Sequence, residues 1–440
     1  MVIETLGIRF ATAARFEPPQ LLPYSGESLG RYGDASPQPP GEVFMTSGMQ
    51  TAEDCLFLNV WTPALDGRRP VLMWIHGGGY RQGSGDHFLS RGPVLAEKGD
   101  VVVVTCNYRL GAFGFAGGTN VGLLDQQCAL RWVREHIAAF GGDPTNVTLF
   151  GESAGAGSVG MQLVMPSSAG LFERAAMQSG AGRPISMERA EQLWADLEAE
   201  AGAPLRDVSA DALVEAQLRV EAKHAGGMVF VPTVDGTIVV DGAPHHPVPL
   251  VLGSNVDEWK LMGLRDPHRL DLDEAGLRKR VGDTVDDLVP AFTAARAERG
   301  EPTTPAELWY AIQTERFFRV PGLAFADEHT EVAPTFTYLF GYRSPMLDGW
   351  VGACHVLEIP FVFGLQGTPE CVSLTGEGPD ADALSAEMMS KWVSYARGKA
   401  PWSRYDTERR TTMWFDVESG LVDAPREPER AVVSSLSRTG

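Results

Sequence analysis

Short, mostly apolar runs recur along the chain, and each ends at a glycine or a small polar residue. Pro70–Ile75, Val101–Thr105, Asn146–Phe150, Arg174–Gln178, Pro249–Gly253 and Thr335–Phe340 have this form. Runs of this length without strict alternation predict strands buried on both faces of a parallel sheet. Glu53–Pro63 alternates and predicts a further strand. Between two of these runs, Gly122–Ala139 carries Leu123, Leu130, Val133 and Ile137 at helical spacing, and Gly141-Gly142 supplies a C-cap. A second helix-compatible run, Ser158–Val164, follows the third strand. Strand and helix alternating with short connections predict an α/β fold with a mostly parallel sheet covered on both sides.

From Arg183 to Val220, from Asp271 to Arg299 and from Thr304 to Phe318 the composition shifts to Ala, Glu, Leu and Arg at helical spacing. These stretches predict helical excursions, at about residues 183–230 and 265–330, over the C-terminal edge of the sheet. The Pro- and Gly-rich segment up to Gly48 reads as a strand-and-loop lead-in, and Asp423–Gly440 reads as a fraying tail. With no internal repeat and no low-complexity linker, residues 1–440 are expected to form a single catalytic domain.

Composition narrows the function. The chain has 440 residues, 44% hydrophobic and 21% charged, with a formal net charge of −20. That charge argues against nucleic acid or an anionic membrane as partner and suits a small neutral or cationic substrate. The five cysteines (Cys55, Cys106, Cys128, Cys354, Cys371) are scattered without a Cys-x-x-Cys pair, so reduced, buried thiols are expected and neither a zinc site nor a disulfide framework. The first residues lack a basic stretch followed by an apolar one, and no run approaches the ~20 apolar residues of a membrane span. A cytoplasmic protein is expected.

Candidate chemistry centres on Gly151-Glu152-Ser153-Ala154-Gly155, between the Asn146–Phe150 strand and the helix after it. A serine in so tight a strand-to-helix turn is lifted clear of the backbone, and side chains larger than hydrogen would clash at the flanking glycines. Its place at a helix N-terminus also favours developing negative charge. A nucleophilic serine needs a base, and in this class of fold the order is serine, acid, histidine. Of nine histidines, His76, His87 and His136 precede Ser153. His224, His245 and His246 come before the next core strand, the last two in an expected surface loop. His268 lies in a hydrophilic turn, and His329, flanked by carboxylates, reads as a solvated helix end. His355 alone sits in an apolar, small-residue setting, Val351–Leu357.

The acid is expected just after the Pro249–Gly253 strand, where Asp257 and Glu258 are both available. Asp235 and Asp241 precede glycines in turns. Backbone donors for an oxyanion are offered by Gly77-Gly78-Gly79 after the Pro70–Ile75 strand and by the amide that follows the serine.

These pieces together resemble the type-B carboxylesterases. Glu53–Val60 (Glu-Asp-Cys-Leu-Phe-Leu-Asn-Val) and Phe140–Gly155 carry the likeness, supported by Asn107–Gly111, Gly122–Gln126, Gln178–Gly180, Gly253–Glu258 and His355–Gly364. It extends from about Gly7 to Trp402. The resemblance implies an α/β-hydrolase fold, a triad of Ser153, Glu258 and His355, and oxyanion donors at Gly78, Gly79 and Ala154. It also implies a supporting shell at Glu152 and Ser179, and neither cofactor nor metal. The implied reaction is two-step hydrolysis of uncharged carboxylic esters through an acyl-enzyme. Relative to the family, the strand pair before Gly7 is shortened or absent, the Ala11–Pro19 and Val240–Pro249 stretches are short, and Trp259 stands where a glycine often follows the acid. Tyr80, Phe88, Phe113, Phe318 and Phe361 are candidates to line a substrate pocket. The two competing readings are a non-catalytic recognition protein and the same machinery acting on an amide, carbamate or lactone.

Overall fold

A computed structural model describes residues 1–40, 49–224 and 228–437. Residues 41–48 of the expected lead-in, residues 225–227 of the first excursion and the last three residues lie outside that range. One ten-stranded sheet organises the rest. Its strands are β1 (Ile3–Arg9), β2 (Phe57–Thr62), β3 (Arg69–Ile75), β4 (Val102–Cys106), β5 (Gly142–Glu152), β6 (Arg174–Gln178), β7 (Leu250–Asn255), β8 (Thr335–Phe340), β9 (Thr411–Phe415) and β10 (Gly420–Asp423). The spatial order is β1-β2-β4-β3-β5-β6-β7-β8-β9-β10. Every pairing from β4 across to β9 is parallel, and the antiparallel pairs lie at the two edges.

The apolar runs form strands because both faces are covered. Along β3, Val71, Met73 and Ile75 enter one core layer, while Leu72 and Trp74 enter the other. The first layer is roofed by α1 (Val121–His136) and α2 (Ala154–Val164), the second by α9 (Pro379–Ala396) through Leu384, Met388 and Trp392. Strand β1 runs through Gly7 and pairs antiparallel with β2, forming one edge of the sheet. All five cysteines are free and buried.

The excursions fold as α3 (Met187–Ala201) and α4 (Ala210–Lys223), then α5 (Glu274–Val281), α6 (Val285–Glu298), α7 (Pro305–Thr314) and α8 (Val320–His329). Glu315–Arg319, between α7 and α8, is a π-helical turn. Three expectations fail here. The tail does not fray: α10 (Glu427–Ser437) packs Val432, Val433 and Leu436 into the small core built by α5, α6 and α7. His329 is fully buried rather than solvated, and its Nε2 lies 2.8 Å from the Val248 carbonyl. Nor is His245 on an open loop, since its ring stacks on Phe325 at 4.5 Å and its Nδ1 lies 3.1 Å from Nδ1 of His329.

The loop after β4 is pinned by a buried ion pair. Arg109 donates to Asp125 on α1 through Nε at 2.8 Å and Nη2 at 2.7 Å, and its own backbone N–H donates to the same carboxylate at 3.0 Å. Breaking such a pair from one side strands a charge in the core. Asp125→Ala is therefore expected to cost about 3–5 kcal/mol, read from urea unfolding midpoints; a loss below 1 kcal/mol would show that the Asn107–Gly111 loop does not depend on it.

Candidate active site

The elbow depends on the contact between β3 and the start of α2. Ile75 is in register with Gly151. A Cβ at Gly155 would overlap the Ile75 carbonyl oxygen and approach that of His76 to 2.9 Å, while one at Gly151 would meet backbone atoms of Gly155 at 2.6 Å and Ile75 at 2.7 Å. The chain between them must turn within three residues, and it does so by holding Ser153 at φ 56°, ψ −121°. That is a strained backbone for a non-glycine residue, stored where packing over-determines it. Ser153 is anchored on both sides, its N–H donating to Gln178 O at 2.8 Å and its carbonyl accepting from Gly157 N at 2.9 Å.

Beside it, β3 runs into His76–Gly79. Gly78 and Gly79 have φ of 108° and 65°, and no hydrogen bond is donated by either amide among the described residues. The Ala154 amide is in the first turn of α2, where N–H groups have no helical partner. The turn is held by Tyr108, whose hydroxyl donates to His76 O at 3.0 Å and whose ring stacks on the His76 imidazole at 4.4 Å. Burial lowers the His76 pKa to about 4, so this ring is neutral.

Glu258 opens a short 3-10 turn after β7, and His355 lies in the loop after β8. Both are buried, and His355 Nδ1 lies 2.6 Å from Glu258 Oε2. The other nitrogen, Nε2, faces Glu152 Oε1 at 3.0 Å. Among the described residues no hydrogen bond joins it to Ser153 Oγ. Burial by itself would lower the His355 pKa, but the two flanking carboxylates, Glu152 and then Glu258, outweigh it and hold the pKa well above the ordinary value. Burial also raises the Glu152 pKa, against the opposing charge of His355. Ser179 has φ 55° and donates its N–H to Gly253 O at 2.8 Å; its hydroxyl is buried and makes no hydrogen bond among the described residues, so the structure does not bring it into this network.

A third buried carboxyl adjoins the pair, and sequence reasoning missed it. Glu358 accepts from Asn255 Nδ2 at 2.6 Å and from Gln178 Nε2 at 3.2 Å. Asn255 in turn donates its backbone N–H to Glu258 Oε1 at 2.7 Å and its side-chain amide to Cys354 O at 2.7 Å. Burial, then the charges of Glu152 and Glu258, push the Glu358 pKa up to about 8, so it is held neutral beside two other carboxyls. The one available signal was a lone glutamate inside Val356-Leu357-Glu358-Ile359-Pro360, three positions after the histidine.

Of the five aromatic candidates, only Phe318 reaches the site, its ring 4.7 Å from His355. Phe113 and Phe361 are core, Phe88 packs at the edge of the second layer, and Tyr80 packs on Phe115 at 5.1 Å. Asp257, the alternative acid, turns away and accepts from Ala353 N at 3.1 Å. Asp235 caps its own turn through Thr237 N and Ile238 N at 2.6 Å. No group of three potential ligands that could hold a metal ion is found among the described residues, and no helix described is long and apolar enough to cross a membrane.

A serine raised on such an elbow, above a mostly parallel sheet covered on both sides, defines a serine hydrolase with the α/β-hydrolase fold. The chain belongs to the carboxylesterase family, whose pattern it matches over residues 2–421. It is 34% identical over 439 residues to the para-nitrobenzyl esterase of Bacillus subtilis (strain 168), covering 91% of this chain and 87% of that one. It is 33% identical to the phenmedipham hydrolase of Pseudarthrobacter oxydans over 90% of this chain and 81% of that protein. The crystal structure of a Geobacillus stearothermophilus carboxylesterase superposes with a TM-score of 0.84 at 35% identity, covering 98% of this chain and 96% of its own. The protein is a carboxylic ester hydrolase.

With two carboxylates on it, the His355 ring is expected to titrate above pH 6.5 in histidine-resolved NMR. Removing the charge at Nε2 with Glu152→Gln is expected to move that midpoint to lower pH. An unmoved midpoint would show that Glu152 is not the partner of Nε2.

Proposed function

We propose that Ser153, Glu258 and His355 form the catalytic triad of this esterase, with Gly78, Gly79 and Ala154 as oxyanion donors and Glu152 as an electrostatic neighbour of the imidazole. The observation that carries the reading is the strained Ser153 backbone next to a buried imidazole already bound to Glu258 at 2.6 Å. We also propose that the chain acts as one catalytic unit, with the excursions near 183–230 and 265–330 surrounding the site.

Before reaction the imidazole must give up its proton, and Ser153 Oγ must turn onto Nε2 in place of the Glu152 contact. His355 then takes the serine proton as Oγ attacks the ester carbonyl. Glu258 fixes the Nδ1–H tautomer and stabilises the imidazolium. The negative charge that develops on the carbonyl oxygen is met by the three amides, each worth roughly 10²–10³ in rate. His355 returns the proton to the departing alkoxide, and a water, deprotonated by the same ring, cleaves the acyl-enzyme. Glu358 and Asn255 support this cycle by holding Glu258 Oε1 in place.

If the three residues act as a unit, Ser153→Ala is expected to lower kcat on nitrophenyl acetate by on the order of 10⁶ while leaving the thermal unfolding midpoint in place. Retention of most of the activity would remove Ser153 from the role of nucleophile. Failure of the wild type to be labelled by a serine-directed organophosphonate would support the non-catalytic reading instead.

A further inference from the structure

The loop that packs beside Ser153 after β6 carries a cation that the reaction does not use. Strand β6 ends at Gln178, and the left-handed backbone of Ser179 after it throws Gly180–Pro184 across the start of α2. This loop sits hard against the nucleophile: a side chain at Gly180 would overlap the Ser153 carbonyl and come within 2.9 Å of Ala156 Cβ. Three residues further on, Arg183 is exposed. Its Nη2 donates to Arg316 O at 2.8 Å, and its guanidinium carbon is 5.8 Å from the centre of the Phe317 ring.

Phe317 belongs to the π-helical turn Glu315–Arg319 and continues inward as an aromatic wall. Its ring is 4.7 Å from Trp259, Trp259 is 6.1 Å from Phe318, and Phe318 is 4.7 Å from His355. The extra residue of a π turn lets two successive phenylalanines straddle Trp259. The wall therefore leads from the imidazole out to Arg183.

Arg183 has no carboxylate partner among the described residues, and neither has Arg316, whose guanidinium is taken up by the Thr284 hydroxyl. Surrounding protein lowers the pKa of both below the ordinary arginine value, by burial alone and with no acid to offset it. With one N–H committed to Arg316 O, the fork of Arg183 still has donors to spare. A planar fork of this kind matches a carboxylate, and its hydrogen bond to Arg316 O and its place over the Phe317 ring orient it. The net charge of −20 does not oppose this at close range, because charges more than about 8 Å away are largely screened at physiological salt.

Resting on the ester-hydrolase reading above, we propose that Arg183, held against Phe317, is a specificity-determining residue that selects esters whose non-reacting end carries a carboxylate, with an aromatic or aliphatic spacer lying along Phe317, Trp259 and Phe318. This contrasts with the neutral or cationic substrate that net charge alone suggests.

Two matched pairs separate the acyl from the alcohol side. They are mono-4-nitrophenyl glutarate against 4-nitrophenyl valerate, and 4-acetoxybenzoate against its methyl ester. In the wild type, kcat/KM for the charged member of at least one pair is expected to exceed that of its neutral match. Arg183→Gln is expected to lower the charged-to-neutral ratio about tenfold, mainly through KM, and Arg183→Lys, which keeps the charge but not the fork, to restore part of it. The wild-type ratio is also expected to fall as salt approaches 1 M, where the screening length is about 3 Å. A wild type with no preference in either pair overturns the proposal, as does an Arg183→Gln variant whose ratios are unchanged or which loses both members equally. A wild type inactive on all four esters overturns instead the hydrolase reading beneath it, so the two failures are distinct.

Discussion

The close approach of β3 to the first turn of α2 is the constraint from which the site follows. The Ile75 and His76 carbonyls lie where a side chain at Gly155 would be. Two segments are thereby forced together: the strained serine and the His76–Gly79 turn, whose Gly78 and Gly79 amides donate no hydrogen bond among the described residues. Neither segment has a reason to hold its shape alone. The turn is steadied from outside by Tyr108, and Tyr108 belongs to the loop pinned by the Arg109–Asp125 pair. An ion pair remote from the serine thus contributes to the shape of the His76–Gly79 turn.

Charge is the second organising quantity. Three carboxyls and one imidazole share a space closed to water, and three negative charges against one positive charge would be expensive there. The structure resolves this by giving each carboxyl a different environment. Glu258 receives a backbone N–H and the imidazole, Glu152 faces Nε2, and Glu358 accepts from two amides while burial and the other carboxyls raise its pKa. Of these, Glu358 is pushed furthest, up to about 8, by burial and by the charges of Glu152 and Glu258.

Much of this was legible in the chain. Short, mostly apolar runs predicted β3, β6 and β8 to within a residue because both faces of these strands are covered. The elbow and its glycines were equally plain, since steric exclusion acts locally. What failed depended on direction rather than composition. His329 follows Asp327 and Glu328, but neighbours on a helix point about 100° apart. Asp327 turns to Arg410 and Tyr405 while His329 turns inward. The tail seemed polar because the apolar spacing of Val432, Val433 and Leu436 counts only when α6 is there to receive it. Glu358 was hidden because the amides that satisfy it come from β6 and β7, 180 and 103 positions away in the chain.

Those separations bear on how the protein comes to be active at all. Glu258 and His355 meet across 97 residues, and Asn255 and Gln178 close still longer loops onto Glu358. Contacts of such range form only after the chain entropy of the intervening segments has been lost, which makes parallel sheets slow to assemble. The buried network of Glu258, His355 and Glu358 thus belongs to the whole parallel sheet from β3 to β8 and to no contiguous fragment of it. During refolding, turnover reports the final closure of the sheet rather than its initial collapse.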